Sequence, residues 1–315
     1  MNRKEVSSTY FLGKILGFFA PMNGGKTQAV VDELDRAAYY GLKTRAYNPA
    51  SNTRERDAIV VNGEKSYPAK TVGSIQELRE DLDKIIDMIA IDEINLFCLS
   101  QNQAQDTLDF IFWCKDNNKA LLLSGLLYDF RHMPFGQVHA LLPYVDIKSD
   151  EKPACMAVTS SGKPCQNTAQ HTQRVWSLDF LNENQLGSEI KHYKPFLFKD
   201  KAKGILSNYV AAPFFDKTVR IEETNDGRVK YLPVCTSCAD IPFKNETFAV
   251  YNAIVMGDAT FGHIGRPELS TAIFKFLEEE KWVQRDSYDV IRAVPFYKNP
   301  VGGFNSVASL IIHKY

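Results

Sequence analysis

Apolar residues run from position 15 to position 20, and a different rhythm starts at Lys26, where Ala29, Val30, Leu34, Ala37 and Ala38 recur at helical spacing until Gly41. That order predicts strand, loop, helix. A second strand is expected over residues 42–47, and Ser74-Ile75-Gln76-Glu77 has the form of a capping box opening a helix through Leu82. Residues 85–91 read as a buried strand ending on Asp92-Glu93, residues 104–114 as a helix, and residues 120–124 as a fourth strand. Strands alternating with helices predict an α/β domain over residues 10–150, with a parallel sheet flanked by helices on both faces.

Beyond about residue 150 this alternation gives way to cysteines, prolines and short irregular pieces, which predicts a second, smaller unit over residues 151–240. The tail, residues 241–315, carries one clear helical stripe over 267–282, with Leu269, Ile273, Phe276 and Leu277 on one face and Pro267 in the first turn. Strands are expected on its flanks, at 249–255 and 309–313, making this segment an α+β extension.

The formal net charge is -1, which gives no global pull toward a nucleic acid or an anionic membrane, so any bound anion must be held locally. No apolar run reaches the length of about 18 residues that a membrane span needs. Residues 10–19 are apolar except for Lys14, and a buried strand explains them better than a secretory leader. Six cysteines are too few for a disulfide scaffold of this size. The expected location is the cytoplasm.

Between the first strand and the first helix lies Ala20-Pro21-Met22-Asn23-Gly24-Gly25-Lys26-Thr27, the phosphate-loop pattern with Ala20 at the first glycine. Small residues let backbone N–H groups curl around phosphate oxygens, Lys26 reaches the β/γ-phosphates, and Thr27 can ligate Mg²⁺. Asp92 and Glu93, at a strand end, can hold Mg²⁺ and accept a proton from an attacking hydroxyl. Cys235 and Cys238 have zinc-knuckle spacing, and Cys155 with Cys165 can complete a tetrahedral site. The competing reading makes the cysteines small buried hydrophobes, as assigned to Cys98 and Cys114; His171 is a rival fourth ligand.

In this order the motifs resemble the cellular-type, zinc-containing thymidine kinase family, over roughly residues 13–175 and 219–240. Asn52-Thr53-Arg54 stands where the family has Asp-x-Arg. Ile91-Asp92-Glu93-Ile94-Asn95-Leu96-Phe97 is similar to its Asp-Glu-Ala-Gln-Phe-Phe segment. Gly125-Leu126-Leu127-Tyr128-Asp129-Phe130, continuing through Pro134-Phe135-Gly136, is similar to its Gly-Leu-Asp-x-Asp-Phe-x-x-x-Pro-Phe-Gly. Ala169, Thr172 and Arg174 follow Cys165 at the family's spacing, and Tyr231 to Cys238 matches Tyr-x-x-x-Cys-x-x-Cys.

The resemblance implies a RecA-like phosphate-loop domain and an ATP-dependent deoxynucleoside kinase acting on thymidine, assembled as a homotetramer. It makes Glu93 the general base. It places Asn52, Arg54, Asp92, Asn95 and Arg174, with the loop Ala20 to Thr27, on the ATP side. Phe97, Phe130, Phe135, Asp226 and Tyr231 fall on the nucleoside side, and the Tyr231 region forms a lasso whose ends a structural zinc ion staples. Departures from the pattern are Asn95 for Gln, Leu96 for Phe, Leu127 for Asp, and an insertion around 176–215 that interrupts the lasso. A kinase for another or modified pyrimidine deoxynucleoside is the nearest rival. Others are a zinc-stabilised nucleic-acid-binding phosphate-loop protein and a nucleotide-binding scaffold without turnover. Intact Lys26, Thr27, Asp92 and Glu93 oppose the scaffold. Residues 192–199 interleave aromatics with lysines, a pattern expected of a partly buried strand rather than a surface for stacking bases.

Overall fold

The computed structural model describes residues 10–52, 57–61, 65–148, 153–159, 161–183, 193–200, 203–216, 227–257, 267–285 and 291–293. Arg54, Asp226 and the strand expected at 309–313 lie outside them. The chain divides into two compact units, residues 1–129 with 134–153, and residues 130–133 with 154–315.

The first unit begins with β1 (Ile15–Phe19), the phosphate loop and α1 (Lys26–Tyr39). Gly41 ends α1 as anticipated: at φ 84°, it lets its own N–H reach Ala38 O and that of Leu42 reach Ala37 O. Leu42 therefore belongs to the helix stop, and β2 starts later than expected, at Thr44–Pro49. A hairpin absent from the sequence expectations follows, β3 (Ala58–Val61) and β4 (Lys65–Val72). Ser74 caps α2 (Ile75–Asp81) through the Glu77 N–H. Next come β5 (Met88–Ile91), a 3₁₀ turn (Ile94–Phe97), α3 (Gln101–Asp116), β6 (Ala120–Gly125) and the short β7 (Asp146–Ile147). Ile85 is half exposed at 54 %, so β5 is shorter than the expected 85–91. Ser100 and Gln103 form a reciprocal capping box that starts α3 before residue 104.

The sheet order is β3-β4-β2-β5-β6-β1-β7, parallel except where β3 meets β4. Its apolar runs are continuous because both faces are covered. Ile89, Ile91, Leu121 and Leu123 point into one core with α2 and α3, while Met88, Ala90, Ala120 and Leu122 point into the other with α1.

The second unit carries an antiparallel sheet, ordered β11-β8-β12 and built from β8 (His171–Ser177), β11 (Tyr209–Ala211) and β12 (Val229–Val234). Between β8 and β11 lie α4 (Leu178–Glu183) and the pair β9 (Phe198–Asp200) and β10 (Gly204–Leu206). Helices α5 (Lys244–Val255) and α6 (Pro267–Glu279) then precede the pair β13 (Val283–Arg285) and β14 (Ile291–Ala293).

The strand expected at 249–255 is therefore corrected to helix. Thr247, Val250 and Ile254 recur at helical spacing and are buried, Val250 and Ile254 in one cluster with Ile273 and Phe276 of α6, so packing overrides the strand preference of Val250, Tyr251 and Val255. The α6 stripe is as expected: Ile273, Phe276 and Leu277 are fully buried.

Candidate active site and cysteine cluster

Strand pairing places the ends of β1, β5 and β6 side by side, because β6 pairs with both neighbours in parallel. The phosphate loop leaves the end of β1. Gly25 adopts φ 77° as the residue before α1, which has no side-chain cap, so its first N–H groups point outward for an anion. Gly24 is needed for closeness: a Cβ there would lie 2.6 Å from both Ala20 Cβ and Pro21 O. Ala20 thus fits at the first position only because residue 24 has no side chain.

Lys26 is buried, and its Nζ lies 3.7 Å from Glu93 Oε1. Thr27 Oγ1 donates to Asp92 Oδ2 at 3.4 Å. The other Asp92 oxygen accepts from Ser124 Oγ at the end of β6 and from the Glu93 N–H at 3.1 Å. Glu93 is held at φ 50°, a conformation that costs about 1–3 kcal/mol for a residue with a side chain. The turn over Ile94–Phe97 fixes it there, with the Leu96 N–H bonded to Glu93 O. The result is an ammonium, a hydroxyl and two carboxylates beside a bare helix N-terminus, the groups needed to hold a polyphosphate with its metal and to take up a proton.

Asn95 is fully buried, and its Oδ1 accepts the Leu126 N–H at 2.9 Å. Phe97 packs in the core with Phe110 and Leu141. Phe135 is buried, its N–H bonded to Leu127 O, while Gly136, at φ 55°, passes so close to Cys98 O that a Cβ would lie 2.4 Å away. Burial pushes the Cys98 and Cys114 thiols up to about 12, as fits inert core fillers.

In the second unit, Cys155, Cys165, Cys235 and Cys238 bring their Sγ atoms within 4.8 Å of one another. The Cys165 and Cys235 sulfurs are 3.9 Å apart, too far for a disulfide. A zinc tetrahedron with Zn–S bonds of about 2.3 Å has edges of about 3.8 Å, so the donor set fits that ion. Burial raises the Cys155 and Cys238 thiols. Burial also acts upward on Cys235, but hydrogen bonds from Cys238, Cys155 and Cys165 outweigh it and bring this thiol down to about 7. His171 stands outside the cluster: its Nε2 meets Thr236 Oγ1 at 3.1 Å, and its ring stacks on His132.

Strand β12 pairs Tyr231 with Arg174 of β8. Arg174 is buried, with Nε 2.9 Å from Asp216 Oδ2 and Nη1 donating to the Tyr231 hydroxyl at 2.7 Å. Its guanidinium lies over both the Phe130 and Tyr231 rings.

Against known sequences, the thymidine kinase family profile matches residues 13–188, more than half of the chain. The chain belongs to the thymidine kinase family. It is 28% identical over 160 residues to a thymidine kinase of Mesoplasma florum, covering 49% of this chain and 72% of that one. With a thymidine kinase of Mycoplasmoides gallisepticum it shares 25% identity over 201 residues, covering 61% and 82%. Membership makes the chain an ATP-dependent phosphotransferase of the thymidine kinase kind. Among the described residues, no helix is long and apolar enough to cross a membrane.

For this thymidine kinase family member, the structure gathers Lys26, Thr27, Asp92 and Glu93 in the first unit, and Phe130, Arg174 and Tyr231 in the second. Sequence reasoning missed Ser124 and Asp216. Ser124, the polar end of an otherwise apolar run, carried a faint signal. Asp216 carried none. Among the described residues of the 192–199 segment, Phe196 and Phe198 are buried in the cluster around the cysteines while Lys194 and Lys199 are exposed.

Proposed function

We propose that the chain transfers the γ-phosphate of ATP to the 5′-hydroxyl of thymidine or a close pyrimidine deoxynucleoside, with Glu93 as the general base. The observation that carries this is the grouping of Lys26, Thr27, Asp92 and Glu93, with Lys26 Nζ 3.7 Å from Glu93 Oε1. Lys26 and the N–H groups at the start of α1 hold the β/γ-phosphates and offset charge that builds on the transferring group. Thr27 and Asp92 would hold Mg²⁺, which supplies further charge neutralisation when bound. The 5′-oxygen forms a bond to γ-phosphorus as the bond to the β–γ bridging oxygen breaks, ADP leaves, and the hydroxyl proton passes to Glu93.

On the nucleoside side we assign Phe130, Phe135 and Tyr231, with Asp226 in the same lasso stretch. Phe97 is assigned to the same side, and Asn95, whose Oδ1 accepts the Leu126 N–H, is kept on the ATP side. Arg174 is assigned to positioning of Phe130 and Tyr231, since its guanidinium is taken up by Asp216 and both rings. Asn52 and Arg54 are kept on the ATP side. The zinc would be structural, with four thiolates and no open position. We read residues 10–150 as the catalytic domain, 151–240 as the lasso and 241–315 as an extension. The protein is placed in the cytoplasm, where reduced thiols favour zinc, and assembles as a tetramer; light scattering on the purified chain tests the assembly. A panel of nucleosides incubated with ATP and Mg²⁺ tests the reaction. Turnover of thymidine or an analogue is expected, and a wild-type chain that phosphorylates no pyrimidine nucleoside sinks the reading.

A further inference from the structure

The family match ends at residue 188, yet the segment that bears Phe130 is packed by residues beyond it. Met133 sits against an apolar cluster in which Phe214 and Phe215 join helices α5 and α6. Arg131 is buried at 7 % side-chain exposure, with Nη2 3.9 Å from Glu280 Oε2 and its guanidinium 5.4 Å from the centre of the Phe276 ring. That guanidinium is also 5.6 Å from the Phe130 ring, and the guanidinium of Arg174 lies over the same ring at 5.5 Å. Arg174 is in turn held by Asp216, which also accepts from Trp176 Nε1 at 3.1 Å.

Phe130 is therefore within cation–π range of two buried guanidiniums, about 6 Å or less. A buried guanidinium needs a counter-charge close by, so Asp216 and Glu280 help to fix where the two cations rest. Each of those carboxylates comes from outside the matched span. We propose that the residues beyond the family match brace the nucleoside-side ring Phe130, with Asp216 and Glu280 as positioning residues acting through Arg174 and Arg131. This deepens the function proposed above, since it rests on Phe130 lining the base pocket. The extension is then a working part of nucleoside recognition and not an independent appendage.

The test uses the full chain carrying D216N or E280Q, each close in shape to the wild type. Steady-state rates give KM for thymidine and for ATP, calorimetry gives thymidine affinity directly, and thermal unfolding shows whether each variant keeps its fold. D216N should raise the thymidine KM about tenfold, as breaking a buried pair implies. E280Q, on a longer and partly exposed contact, should raise it about two- to fivefold. The ATP KM stays at its wild-type value in both. E280Q carries the test alone if D216N does not fold. Wild-type thymidine KM in the folded variants, or equal rises in both KM values, overturns the brace. A wild-type chain inactive on every pyrimidine nucleoside overturns instead the function on which it rests.

Discussion

In the first unit the charged residues stand on the ends of strands that pair with each other, whereas in the second the four thiols come from chain stretches up to 83 positions apart, from Cys155 to Cys238. The backbone ladder aligns Asp92 beside Ser124, so the carboxylate is in place as soon as β5 and β6 pair. No such ladder joins Cys155 to Cys238. Without a metal, burial keeps the Cys155 and Cys238 thiols protonated, and a cation among the four sulfurs would displace those protons and bind the group more tightly. The charged site of one unit thus rests on a parallel ladder, while the cysteines of the other are brought together by scattered backbone bonds, such as Cys155 N–H to Asn167 O and Met156 N–H to Pro233 O.

Lys26→Ala gives the sharpest contrast. Turnover should fall by about 10³-fold or more, because Lys26 is the one buried lysine among the described residues and it stands at the phosphate loop, while zinc content stays unchanged. Loss of zinc in this variant, read by metal analysis, would break the separation between the two modes of organisation. Glu93→Gln comes next, with a drop in kcat of about 10²- to 10⁴-fold and ATP affinity retained. Parallel losses in ATP affinity and rate would reassign Glu93 to the metal.

On the second unit, metal analysis should find about one zinc per chain, and Cys238→Ser should weaken it and raise the thymidine KM before the ATP KM. Cys155→Ser that keeps zinc, with His171→Ala releasing it, would overturn the ligand set. The smallest effect concerns acid. Burial, then the neighbouring His171 and Lys244, lowers the His132 imidazole from its ordinary value of 6.5 to about 3. A depressed histidine means the unfolded chain takes up the proton first, so the stability it contributes is present above pH 6.5 and is lost as pH falls toward 3. Its share, discounted for partial exposure, is under about 1 kcal/mol per pH unit. His132→Gln should flatten the decline of the thermal midpoint between pH 6.5 and 4.5, and an unchanged slope would remove His132 from that account.

The same contrast explains what could be read from the sequence. The phosphate loop, α1 and the buried strands declare themselves because each is encoded by neighbouring residues, through a capping box, a glycine stop or an apolar run. The cysteine set was legible only because sulfur ligation has few alternatives at knuckle spacing. The hairpin β3 and β4 escaped notice because Lys65-Ser66-Tyr67-Pro68 carries little apolar alternation, and it forms an edge where one face needs less covering. Helix α5 was misread because β-branched and aromatic residues favour extended chain until a partner such as α6 supplies a helical face to fill. Asp216 was illegible in principle, since its meaning depends on an arginine 42 positions earlier.

The separation of Cys165 from Cys235 has a bearing on how such a chain can change over time. With a zinc ion joining the four sulfurs, as proposed, the entropy of closing the intervening loop would grow only with the logarithm of its length, so doubling it would cost about 0.6 kcal/mol. New segments can therefore accumulate between the pinned ends with little penalty, provided they bury their own apolar residues as Phe196, Phe198 and Tyr209 do. The cluster turns that stretch into a tolerant docking bay in the gene, where added sequence is first merely harmless and is later available for selection to use.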